Sequence, residues 1–157
     1  MKARTKARSI ALQVLYEVDM ADHPPAQIMA ERLEADPLSD ELAEFVRQLV
    51  FGILPLRVRL DEVIAHNAPE WPFDQMAAID RNILRMAVWE FAISGLTPVK
   101  VAINEAVELA KHYGSDSAPR FINGVLGSLA ERENEIRQLF KRIADRSITP
   151  AQHKEGE

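Results

Sequence analysis

The stretch TPVKVAINEAVELAKHYGSDSAPRFINGVL, Thr97 to Leu126, decides the fold. Thr97-Pro98 caps a helix whose apolar positions Val101, Ile103, Val107 and Ala110 recur at helical spacing. Gly114 stops it, a polar turn follows, and a second helix opens near Ser117 with Pro119 tolerated in its first turn. The junction gathers Lys111, His112, Ser115, Ser117, Arg120 and Phe121. Cations, hydroxyls and one ring suit a single-stranded nucleic-acid backbone with a base stacked beside it. The structural alternative is plain: any corner between two helices needs polar caps.

Outward from this corner the chain reads as helix almost throughout, because no stretch alternates with period two. A first helix stripes Ile10, Val14 and Val18, and stops before His23-Pro24-Pro25. Pro25 opens a short second helix with Ile28, Met29 and Leu33. Ser39 caps a third, with Asp40 and Glu41 in its first turn suiting the positive end of the dipole. Gly52 and Pro55 mark a break before a fourth helix bearing Leu56, Leu60, Val63 and Ile64, and HNAPEWPF (His66 to Phe73) is the most evident linker. A fifth helix is expected from an Asp74 cap to Gly95, apolar on more than one face and so buried on two sides. The helix that opens near Ser117 is expected to be the seventh and to run to about Arg146, leaving 147–157 as a disordered polar tail. The expected fold is therefore all-α, with about seven helices.

Composition narrows the function classes. A chain of 157 residues, 47% apolar and 27% charged, reads as an ordinary globular protein. The absence of cysteine excludes disulfides, zinc–thiolate sites and thiol nucleophiles, and fits a reducing, cytoplasmic setting. No apolar run reaches the roughly 20 residues of a membrane span. Gln13, Glu17 and Asp19 interrupt the one candidate signal-peptide core. Net charge is −5, yet Met1 to Tyr16 carries Lys2, Arg4, Lys6 and Arg8 with no acid. Residues 17–44 are strongly acidic, so the charge is asymmetric, as expected for a localised anionic partner or for a solvated basic terminus.

Catalytic patterns are missing. His23, His66, His112 and His153 are scattered, without HxxxH or HExxH spacing, and there is no Walker loop, GxGxxG or GxSxG. No enzyme activity, catalytic residue, metal or cofactor is expected.

Three blocks carry a family resemblance: RSIALQVLYEVD (Arg8 to Asp19), IDRNILRMAVWE (Ile79 to Glu90) and VAINEAVELAKHYG…RFINGVL (Val101 to Leu126). In these the chain resembles the NusB family of bacterial transcription antitermination factors. The resemblance implies two small helical bundles packed as one NusB-like domain over 1–146, the first about 3–54 and the second about 56–146, with 147–157 as the tail. It also implies binding of boxA-type single-stranded RNA jointly with the ribosomal small-subunit protein NusE, within the transcription elongation complex on ribosomal RNA operons.

Carried onto this sequence, the resemblance implies an RNA site of Arg4, Lys6, Arg8, Tyr16, Lys111, Ser117, Arg120 and Phe121, with Phe121 stacking on a base. It implies a separate partner surface of Tyr16 and Asp80, the latter beside Arg81. Ser117 departs from the family, many of whose members carry an acid there. The N-terminal helix and the Lys111–Phe121 corner would then form two walls of one groove. Two rivals are of other classes. RNA cytosine methyltransferases carry this fold as an N-terminal domain, but they need a cysteine nucleophile and a nucleotide-binding domain, both missing here. A helical protein–protein adaptor without direct RNA binding stays open, as do both monomer and homodimer.

Overall fold

The computed structural model describes the backbone of residues 2–155 and the side chains of residues 2–146. Among the described residues there are eight α-helices and no strand. They are α1 (Ala3–Met20), α2 (Pro25–Ala35), α3 (Asp40–Ile53), α4 (Arg57–Asn67), α5 (Ala78–Val88), α6 (Val99–Tyr113), α7 (Ala118–Ala130) and α8 (Glu133–Glu155). Short 3-10 turns at Leu54–Leu56 and Phe73–Gln75 flank α4, and a π-helical turn, Trp89–Ser94, extends α5.

Local chemistry sets most boundaries. Pro25 sits in the first turn of α2, where its missing N–H costs nothing. Ser39 accepts the Leu42 N–H at 3.3 Å, a true N-cap for α3. Gly95, at φ +67°, ends the π turn in the left-handed region that glycine enters without a Cβ clash.

Two central helices organise the packing. Every residue of α5 from Asn82 to Val88 is buried, as its doubly apolar pattern predicted. α1 is buried along most of its length, packing on α2 and α3 on one side and on α5 on another. α6 and α7 cover the remaining side of α5. Leu12, Leu15, Ile83, Leu84, Phe91 and Leu109 are fully enclosed, each contributing about 1.5–3 kcal/mol through apolar burial.

Two polar networks cross this core and fix how the helices register. Arg8 on α1 grips Glu90 with Nε at 3.0 Å and Nη2 at 2.7 Å, and Thr97 donates to the same carboxylate at 3.0 Å. Asp19, at the far end of α1, accepts from Asn82 (2.9 Å), Arg85 (2.7 Å) and Arg57 (3.0 Å), while Asp61 takes the other edge of Arg85. Burial pushes the Asp19 carboxyl up, but these donors outweigh it and hold the group below its ordinary range. α1 and α5 are thereby clamped antiparallel at both ends.

Three expectations are corrected. α5 starts at Ala78 rather than Asp74, which lies in the preceding 3-10 turn, because Met76 and Ala77 are extended. Thr97 does not cap α6: the N-cap position is Pro98, with no side-chain cap bond, and the Thr97 hydroxyl goes to buried Glu90. The long helix expected from Ser117 to Arg146 divides at Glu131–Arg132 into α7 and α8. No Gly or Pro marks that break. Its cause is tertiary: Arg137 donates to the Phe91 carbonyl at 3.0 Å, and Ile136 and Phe140 are buried, drawing α8 onto the π turn. The helical trace of α8 continues to Glu155. Of the expected disordered tail, the backbone of 147–155 is this helix, while residues 156–157 and the side chains from 147 on lie outside the described residues.

Candidate nucleic-acid interface

The corner between α6 and α7 forms as its sequence predicts. Gly114 closes α6 through its N–H to the Ala110 carbonyl at 2.9 Å, and Ser117 stands at the N-cap of α7. Lys111, His112, Ser115, Ser117 and Arg120 are exposed. Among the described residues, Lys111 is tied only to Glu108, at 3.7 Å, and exposed Arg120 is unpaired.

Phe121 is half-buried rather than fully exposed. Its ring meets Trp71 edge-on, with centroids 6.3 Å apart and planes at 80°. The two rings wall a cleft of about 360 Å³ that also takes in Met76, Asp80, Ser115 and Ser117. Asp80, expected on a separate surface, therefore shares a cleft with Phe121. Its Oδ1 is buried with no hydrogen-bond partner among the described residues. Burial alone raises its carboxyl above the ordinary range.

The sign of this shift makes a prediction. A carboxyl whose folded pKa is raised weakens the fold when ionised; the penalty is absent below the unfolded value and complete above the folded one. Asp80→Asn is expected to raise the melting temperature at neutral pH by a few degrees and to give no gain at acid pH. Equal melting temperatures at neutral pH would mean that the carboxylate finds a donor.

The three basic residues expected at the N-terminus do not form one wall. Residues two apart on a helix point about 200° from each other. Arg4 and Arg8 accordingly share one side, over the Phe45 ring at 4.4 and 5.2 Å, while Lys6 turns away to pair with Asp36 at 2.8 Å. Arg8 needs a firmer correction. It is 4% exposed, and its guanidinium is occupied by Glu90 and Glu105, so it is a buried structural cation rather than a free phosphate contact.

The α1 face that does meet α6 carries Thr5, Ser9 and Gln13. Thr5 donates to Glu105 at 2.9 Å, Ser9 is hydrogen-bonded to the Tyr113 hydroxyl, and Gln13 donates to that hydroxyl at 3.0 Å. The C-terminal end of α6 thus lies beside the middle of α1. Tyr16, 36% exposed, follows one helical turn after Gln13 on the same face. Lys2 begins this face and lines a groove of about 460 Å³ with Thr5, Glu105, Glu108 and His112. Sequence reasoning missed Lys2 and Trp71 as site residues. The helical phase of Lys2 could have found the first, whereas Trp71 lies in a linker with no periodicity to place it. A larger apolar groove of about 960 Å³, between α4 and α8, involves none of these residues.

The sequence profile of the NusB family matches residues 5–131. The chain belongs to the NusB family. Among proteins named transcription antitermination protein NusB, that of Roseiflexus castenholzii is 49% identical over 134 residues, covering 84% of this chain and 94% of the relative. The Chloroflexus aggregans protein is 50% identical over 137 residues, covering 83% and 91%. Among solved structures, T. maritima NusB superposes with a TM-score of 0.72 at 27% identity, covering 87% of this chain and 92% of that one. A crystal structure of the antitermination factors NusB and NusE in complex with dsRNA gives 0.72 at 25% identity, covering 88% and 98%. As a NusB-family member the chain is a transcription antitermination factor and not an enzyme. No described helix is long and apolar enough to cross a membrane.

Proposed function

We propose that this factor binds boxA-type single-stranded RNA jointly with NusE and acts in the cytoplasm on the elongation complex transcribing ribosomal RNA operons. The observation that carries the reading is the α6–α7 corner. There a half-buried aromatic ring, Phe121, stands between exposed cations and hydroxyls in a chain similar to a NusB solved with NusE and RNA. Lys111 and Arg120 serve as phosphate contacts, Ser117 as a hydrogen-bonding edge and Phe121 as the stacking surface. Arg4 and Lys6 extend the positive charge along two sides of α1. Tyr16 and Asp80 receive the partner, the negative charge of Asp80 suiting a cationic side chain of a basic ribosomal protein.

Phe121→Ala is expected to weaken RNA binding by about 1–3 kcal/mol, the usual size of base–aromatic stacking. Fluorescence anisotropy with labelled RNA measures it. A folded variant with wild-type affinity would remove Phe121 from the site. The adaptor reading, with partner binding but no RNA contact, predicts that outcome for every corner variant.

A further inference from the structure

The cleft beside Phe121 has a second wall that the family resemblance did not supply. Trp71 comes from the linker between α4 and α5, and its ring lies perpendicular to Phe121. It is held from behind by α7: a Cβ at Gly124 would lie 3.4 Å from Trp71 Cζ2, so glycine lets the indole approach the helix closely. Two rings at 80° make a corner, in which a flat ligand can stack on one face and meet the other with its edge.

The cleft's polar atoms say what the ligand is not. Asp80 lines the wall with a carboxyl group whose unpartnered oxygen is closed to solvent, so it repels phosphate without offering that oxygen to a ligand. Ser115 and Ser117, their hydroxyls 3.4 Å apart, offer groups able to donate or accept. The cations Lys111 and Arg120 stand on the exposed helix ends outside. Aromatic walls and hydroxyls within, cations without, match one nucleotide whose base enters the cleft while its flanking phosphates stay on the rim.

We propose that Trp71 and Phe121 together form a pocket for a single unstacked nucleobase of the bound RNA, with Trp71 as its second wall. This rests on the RNA-binding reading above and adds a position-specific base site to it.

The test uses the full chain with NusE and a short boxA-type single-stranded RNA carrying an abasic ribose at each position in turn. One position is expected to lose about tenfold in affinity when its base is removed. Trp71→Leu should weaken the intact RNA by a similar factor and erase the penalty at that position. Trp71→Phe, which keeps a ring, should restore both. Thermal melts separate a lost wall from a lost fold, and the rescue by Phe covers the case where Leu destabilises the linker. Equal affinities at all abasic positions, or a Trp71→Leu chain that keeps the wild-type penalty, would overturn the pocket while leaving RNA binding intact. Absence of any binding to intact RNA, with or without NusE, would overturn the RNA-binding reading and the pocket with it.

Discussion

Arg8→Ala is expected to lose about 3–5 kcal/mol of folding stability, the cost of leaving one member of a buried ion pair without its partner. Arg8 and Glu90 have side chains 4% and 3% exposed, so water cannot replace the missing guanidinium. Among the described residues, Thr97 would remain as the sole side-chain donor to Glu90. Removing both charges, as in Arg8→Met with Glu90→Leu, should recover much of the loss, because two desolvation penalties disappear together. Urea denaturation of the single and double variants reads both effects. A single-variant loss below about 1 kcal/mol would match an exposed pair instead and would return Arg8 to the list of phosphate contacts.

The second large effect is on assembly. Asp80→Lys is expected to fold normally and to lose at least about a hundredfold in affinity for NusE, since it sets like charge against a basic surface. Folding should survive because Asp80 has no hydrogen-bond partner to lose among the described residues and its desolvated carboxylate weakens the fold. RNA binding by the variant alone should be kept or slightly raised, as the new cation stands beside Phe121 and attracts phosphate. Affinity for RNA in the presence of NusE should then fall to that of the lone chain. Titrations with NusE and RNA, separately and together, measure each arm. Wild-type affinity for NusE would place the partner elsewhere.

The fold was legible where chemistry is local. The Pro25 start, the Ser39 cap, the Gly114 stop and the apolar phase of α5 all lie within a turn or two of the residues they govern. It was illegible where distant residues decide. Nothing near Glu131 announces the turn into α8, whose direction depends on the Phe91 carbonyl and Arg137. Thr97 looked like a cap until Glu90, seven residues back, took its hydroxyl.

The same division runs through the candidate site. Lys111, Ser117, Arg120 and Phe121 fall between positions 111 and 121, around one helix–helix corner. Arg4, Lys6 and Arg8 looked alike as charges, but only helical phase and the acids opposite could sort them: Arg4 onto Phe45, Lys6 to Asp36, Arg8 into the core. Burial of a cation cannot be read from its own neighbours in sequence. Nor could the meeting of Asp80 with Phe121, which are 41 positions apart in the chain and share a cleft only because α5 packs against α7.

The most direct test of the account is a titration of the purified chain with boxA-type single-stranded RNA, with and without NusE, over a range of salt. Binding is expected to tighten when NusE is present and to weaken with salt, with a log–log slope of roughly −0.7 for each phosphate contact. A chain that binds NusE but no RNA under either condition would contradict it and leave the adaptor reading in its place.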